Sequence, residues 1–195
     1  MILSILIPSI TERIESHLIP LVMKLEGQIK EGSHIGSVEI LSFTDNCQRS
    51  IGAKRQALLN LAQGVFIAFI DDDDDISDNY IENFFRAYSF ATQWTDVITF
   101  NQHVYIDGTY YANRFEFGKE GNDPIDQEGG CIRPPWHVCF WRRDIVKHCT
   151  FPDSNYGEDW AWAEQANKKA KSSYHIDAFM HTYHYNSEVS RATAE

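Results

Sequence analysis

Nowhere in this chain do apolar residues run for the roughly 20 positions that a membrane-spanning helix requires, so membrane insertion is excluded. The apolar opening Met1 to Ile7 is too short for the core of a secretion signal and has no basic residue ahead of it. It reads as a strand, and a cytoplasmic location is expected. Cysteine is scarce: Cys47, Cys131, Cys139 and Cys149 form no CxxC pair, which excludes a zinc knuckle or a redox motif and fits a reducing compartment. Basic residues are outnumbered, 17 Lys and Arg against 28 Asp and Glu, for a formal net charge of -11. Sequence-independent binding to nucleic acid or to an anionic membrane needs a basic face, and this balance opposes it. Low-complexity tracts and internal repeats are also missing. With 43% hydrophobic and 13% aromatic residues, the 195-residue chain has material for one core. A single domain is expected, ordered except at its last few residues.

Alternation of apolar runs with helical periodicity organises the first part of the chain. Ile2 to Ile7 is a β-branched run of the kind buried on both faces of a parallel sheet, ended by Pro8. A helical pattern covers about Ile14 to Ile29, and a turn around Gly32 to Ser37 leads to a strand from Val38 to Phe43. A second helix from about Ile51 to Ala62 closes at Gly64, a C′ position, before the strand Val65 to Ile70. Two βαβ units predict an open α/β sheet whose ligands bind beyond the carboxyl ends of the strands. A helix from about Asp78 to Ala91 follows. The pattern then changes to strands at Val97 to Tyr105 and Thr109 to Phe115, joined through Asp107-Gly108, a hairpin signal. Residues 118–135 read as a long loop, which in a compact domain is more often functional than idle. Phe84, Phe85, Tyr88 and Phe90 lie at helical spacing and are assigned to packing.

Chemistry concentrates at Asp71-Asp72-Asp73-Asp74-Asp75, where a buried strand breaks into five consecutive carboxylates. Alternation along an extended backbone points Asp71 and Asp73 to one side, where hard oxygen ligands share Mg²⁺ or Mn²⁺ with a diphosphate. An acidic lead-in to the next helix is the simpler reading, but one or two carboxylates suffice for that. Repulsion among five costs more than a helix end returns.

In order and spacing, three segments resemble the family 2 glycosyltransferases, which have the GT-A fold: Ser4-Ile5-Leu6-Ile7-Pro8-Ser9, Val38 to Asn46, and Gly52-Ala53-Lys54-Arg55-Gln56 through Ala62-Gln63-Gly64 to the Asp run. A fourth, Trp136-His137 to Arg142-Arg143-Asp144, then Phe151-Pro152 and Gly157-Glu158-Asp159-Trp160, is similar to the family's acceptor-side half. Arg13 stands one position late for the pattern, and Gln56 replaces the commoner Asn. The resemblance implies a Rossmann-like mixed sheet with helices on both faces, a donor half at 1–100 and a short acceptor-side half at 101–195. It further implies that Pro8, Ser9 and Thr11 with Asp45 hold the nucleoside of a nucleotide-sugar, with UDP the expected carrier. Lys54 and Arg55 suit the diphosphate, or else a solvated helix face. Asp71 and Asp73, with Asp72, hold Mn²⁺ or Mg²⁺, and the C-terminal histidine that completes the metal is assigned to His184 over His181.

Asp159 is implied as the base that takes the proton from the attacking hydroxyl, with Glu158 as its fallback; helix capping is the competing role for the pair. His137 is a candidate for the donor phosphate or the acceptor. Of Trp136, Trp141, Trp160 and Trp162, most are expected in the core and Trp160 nearest the acceptor. The implied activity is an inverting, metal-dependent transfer of a sugar to a hydroxyl of a glycan, a protein or a modified nucleobase. Three alternatives stand beside it, the first a nucleotide-sugar binding module without turnover, against which the presence of both Asp159 and the Asp run argues. A phosphoryl-transfer enzyme would require Thr or Val at position 75, which is Asp. A phage-type DNA glycosyltransferase finds its only local support in Lys168, Lys169 and Lys171, which equally serve as the basic last turn of a helix.

Overall fold

A computed structural model describes residues 1–91, 94–124 and 130–186. The predicted fraying of the chain end, and the middle of the 118–135 loop, lie outside these residues. Strand β1 (Leu3–Ile10) leads through a 3-10 turn, Thr11–Arg13, and a wide π-helical turn, Ile14–Leu18, into helix α1 (Ile19–Glu31). Then come β2 (Val38–Asp45), α2 (Ile51–Leu61), β3 (Phe66–Phe69), β4 (Asp75–Ile76) and α3 (Tyr80–Phe90). The second half holds β5 (Val97–Ile106), β6 (Thr109–Phe115), β7 (Asp123–Pro124), β8 (Cys131–Arg133) and β9 (Phe140–Arg142). Helices α4 (Arg143–Val146) and α5 (Glu158–Lys169) precede the last strand, β10 (Ser173–Tyr185).

Among the described residues the strands form one mixed sheet in the order β2-β1-β3-β9-β5-β6-β8-β7, with β10 parallel to β5 and antiparallel to β4. The three parallel strands β1, β2 and β3 deliver Ile10, Asp45 and Phe69 to the same edge of the sheet. That edge carries the site. Asp107 and Gly108 take φ of 48° and 81°, the two-residue turn that matches strand twist, and close the β5–β6 hairpin. No helix among the described residues is long and apolar enough to cross a membrane.

Three local expectations are corrected. Pro8 does not end β1, which runs on to Ile10: β3 pairs only Leu3 to Leu6, so the missing N–H falls where one side of the strand is already unpaired. Gly64 is not a left-handed helix cap. It is required by contact, since a Cβ there would lie 2.5 Å from both Phe66 O and Ser4 N. Phe84 is buried as predicted, whereas Phe90, the last residue of α3, is 64% exposed.

Trp141 and Trp162 are fully buried, their rings edge-to-face at 5.7 Å, and Phe151 stacks on Trp162 at 5.0 Å. This cluster anchors α5 beneath the site. Helix α2 starts at Ser50, whose Oγ accepts from Ala53 N at 3.1 Å. At Gly52 it meets the Pro152 backbone, where a Cβ would come within 1.9 Å of the carbonyl oxygen. Gly52→Ala is therefore expected to destabilise the protein by about 1–3 kcal/mol through overpacking. Urea unfolding of the variant measures it, and an unchanged midpoint would show that the 152–154 loop yields freely.

Candidate functional site

The Asp run leaves β3 in a turn, not an extended strand: Asp74 N donates to Asp71 O at 3.1 Å. Asp71 and Asp74 therefore line the cleft, whereas Asp72 and Asp73 both reach Arg13, at 3.0 and 2.8 Å. The expected pairing of Asp71 with Asp73 on one side does not occur, because period-two alternation requires extended backbone. Each carboxylate of the run meets a basic side chain of the chain itself. Arg55 Nη2 donates to both oxygens of Asp71 at 2.6 and 2.8 Å, His181 Nε2 stands 3.2 Å from Asp74, and Lys24 pairs with Asp75 at 2.9 Å. Repulsion within the run is thus answered internally. Burial and the negative charge of Asp71 raise the pKa of Asp73, the member of the Arg13 pair left 38% exposed. Among the described residues no three His, Cys, Asp or Glu side chains are grouped to hold a metal.

Lys54 and Arg55 point inward from α2 and lie beneath the cleft. Lys54 Nζ donates to Ser9 O at 2.8 Å and pairs with Asp45 at 2.5 Å, tying the loop after β1 to the end of β2. That bond holds the Asp45 carboxyl below its usual range. Ser9 Oγ in turn donates to Asp72 at 2.6 Å. Arg55 bridges Asp71 to Glu158, the first residue of α5, so the proposed fallback base is a buried ion-pair partner. Burial raises the pKa of Asp71, yet the positive charge of Arg55 brings it below the ordinary value. Glu158 stays raised by its burial despite Arg55.

His137 is buried behind the same group, its Nε2 3.4 Å from Arg55 Nη2 and its Nδ1 3.8 Å from Asp159, without a hydrogen-bond partner among the described residues. Burial and the positive charge of Arg55 lower its pKa from 6.5 to about 3, so the imidazole is neutral. Unfolded, it would take a proton near pH 6.5. The stability this site contributes is present above that pH and is lost as pH falls toward 3, by up to about 1.4 kcal/mol per pH unit. His137→Gln is expected to lose less stability than the natural protein between pH 6.5 and 4 in urea titrations. Parallel losses would show that His137 is protonated in the fold.

A chain of hydrogen bonds crosses the other wall. Cys131 Sγ donates to Asn113 Oδ1 at 3.1 Å, Asn113 Nδ2 to Gln102 Oε1 at 3.3 Å, and Gln102 Nε2 to His181 Nδ1 at 3.1 Å. With Nδ1 accepting, the proton of a neutral His181 sits on Nε2 and faces Asp74. Burial raises Asp74 to about 6 even with His181 pulling it down. His184, assigned to the metal from sequence, stacks instead on Tyr105 at 5.1 Å and lines a second, smaller hollow. The histidine brought to the Asp run is His181.

Asp71, Asp74, His137 and His181, with the chain of Gln102, Asn113 and Cys131, line a cleft of about 490 Å³. Asp159 lines it, 29% exposed, with Trp136 Nε1 donating to its Oδ2 at 3.2 Å. Trp160 follows it on the surface, 59% exposed. Pro8 is buried in β1, and Thr11 is exposed just beyond the strand. Sequence reasoning passed over Gln102, Asn113, Cys131 and Arg133. Their signal was period-two spacing, Gln102 with Val104 and Ile106 on β5, Tyr111 with Asn113 on β6, Cys131 with Arg133 on β8, all facing the cleft.

No protein-family model and no curated protein matches the chain. Among solved structures, 94% of it superposes on Staphylococcus aureus TarS 1–349 with a TM-score of 0.61 and 16% identity. The same fragment in complex with UDP-GlcNAc gives 0.63 at 14% identity, and in complex with UDP 0.63 at 13%, each again over 94% of the chain. The chain spans 58–60% of that fragment's length. At these identities the likeness shows the fold, a mixed α/β sheet with flanking helices.

Proposed function

We propose that the chain transfers a sugar from a nucleotide-sugar, UDP the expected carrier, to an acceptor hydroxyl, inverting the anomeric carbon. The observation that carries this is one cleft with two unlike walls. On one side Asp71 and Asp74 line it where the chain leaves β3, Ser9 and Asp45 standing at the same strand-end edge outside the lining, and on the other Asp159 faces the same space from the start of α5. The shared fold with TarS, whose structures include complexes with UDP and UDP-GlcNAc, supports a nucleotide at that edge.

In this reading Asp45 and the loop from Pro8 to Thr11 hold the nucleoside, while Lys54 fixes their relative position. Arg55 holds Asp71 and α5 in register. Asp159 accepts the proton of the acceptor hydroxyl as its oxygen bonds to the anomeric carbon. The bond to the diphosphate breaks, and the electron pair departs with the nucleotide. The open Nδ1 of His137 serves as a donor to the sugar or the acceptor. Mn²⁺ or Mg²⁺ would be held here by one or two carboxylates, not by a cage of protein ligands. Asp73 at the rim fits that part, and the ion would neutralise charge on the leaving diphosphate. A phosphoryl-transfer role would need a free nucleophilic Asp, and Asp71, doubly held by Arg55, is not one.

Calorimetric titration of UDP, GDP and ADP, with Mn²⁺ and with EDTA, tests the reading. Metal-dependent binding of UDP, lost in Asp73→Ala, is expected. Silence of all nucleotides under both conditions would end it.

A further inference from the structure

Arg13, Lys54 and Arg55 each pair with a carboxylate, and among the described residues Arg133 pairs with none. Its guanidinium lies 4.3 Å over the Trp136 ring and 5.7 Å from Phe115, and its buried Nε has no hydrogen-bond partner among the described residues. Both rings hold the group in place by cation–π contact, which fixes its plane without using its donors. Trp136 is also the residue whose indole N–H binds Asp159, so the stack sets Arg133 beside that carboxylate in the cleft. Burial lowers the pKa of Arg133, with Asp159 and Tyr183 among the groups opposing the shift. A guanidinium remains charged under such pressure. A partly buried guanidinium that forms no ion pair among the described residues and leaves its buried Nε unbonded is costly, and a bidentate oxyanion is the partner its planar fork fits best.

We propose that Arg133 is an oxyanion subsite for the acceptor, which carries a carboxylate or phosphate group next to the hydroxyl that receives the sugar. The assignment rests on the transferase reading, with Asp159 as base. The remaining cleft carboxylates, Asp71, Asp74 and Asp159, would repel such an acceptor, and Arg133 supplies the local positive charge that admits it. A neutral acceptor has no use for a partly buried cation beside the base.

The test follows the Arg133 Nε–H resonance of the whole protein by ¹⁵N NMR during titration with inorganic phosphate, glucuronate and glucose, with and without UDP. Saturable shifts with phosphate or glucuronate but not glucose, retained with UDP present, are expected, and the stronger of the two anions tells phosphate from carboxylate acceptors. Arg133→Met should abolish the anion response in the rest of the spectrum while leaving the calorimetric affinity for UDP unchanged. Arg133→Lys, which keeps the charge without the fork, should weaken it on the order of tenfold. A lack of saturation by both anions would overturn the proposal, and so would an anion response unchanged in Arg133→Met. Displacement of phosphate by UDP would also overturn it, by moving Arg133 to the donor side. Failure of the transferase reading has a separate signature, loss of UDP binding while the anions still titrate.

Discussion

Asp159→Asn is expected to lower the rate of sugar transfer about 10²–10⁴-fold, the usual contribution of a general base, with UDP affinity unchanged. The substitution keeps the shape of the side chain and an oxygen for the Trp136 indole N–H, which binds Asp159 at 3.2 Å, so the wall of the cleft should stand. Only the capacity to take a proton is removed. Glu158 cannot substitute, because it is buried and engaged by Arg55. Transfer rates with saturating donor, alongside nucleotide affinity, separate the roles. A parallel loss of UDP binding would place Asp159 on the donor side, and an unchanged rate would remove it from the chemistry.

Arg55→Met should produce the largest loss of stability, about 3–5 kcal/mol, since it strands the buried carboxylate of Glu158 and the half-buried one of Asp71, which shared one cation. Arg55 itself is 2% exposed, Glu158 5% and Asp71 23%. The sign of the pH dependence distinguishes lost charge from lost packing. Without the guanidinium, the folded-state pKa values of Asp71 and Glu158 rise, so the variant regains stability relative to the natural protein as pH falls through the carboxylate range. Adding Glu158→Gln should recover part of the deficit. Urea unfolding at pH 7 and pH 5 measures both effects, and a deficit independent of pH and of Glu158→Gln would assign Arg55 to packing alone.

The first 70 residues were legible because their strands are apolar runs separated by helical periodicity, and the strand-end edge of the candidate site followed from their parallel order. The end of β1 was misjudged because proline signals a missing N–H, while only the sheet order reveals that no partner needed it there. At the Asp run, alternation failed because the chain turns at once, closed by the Asp74–Asp71 hydrogen bond. The choice between His181 and His184 failed for a different reason. β10 slips in register against β5 on either side of Phe179, and one residue of slip changes the face that every later side chain presents. Period-two spacing marked one face on each of β5, β6 and β8, but the pairing that brings Gln102, Asn113 and Arg133 to one wall leaves no mark in local periodicity.

A structure of the protein saturated with UDP tests the central claim most directly. The account predicts uracil between Asp45 and the loop from Pro8 to Thr11, the diphosphate at Asp73, and its free end directed across the cleft toward Asp159. UDP bound instead in the hollow of Tyr105, Gly108 and His184, or a cleft without nucleotide at saturation, would contradict it.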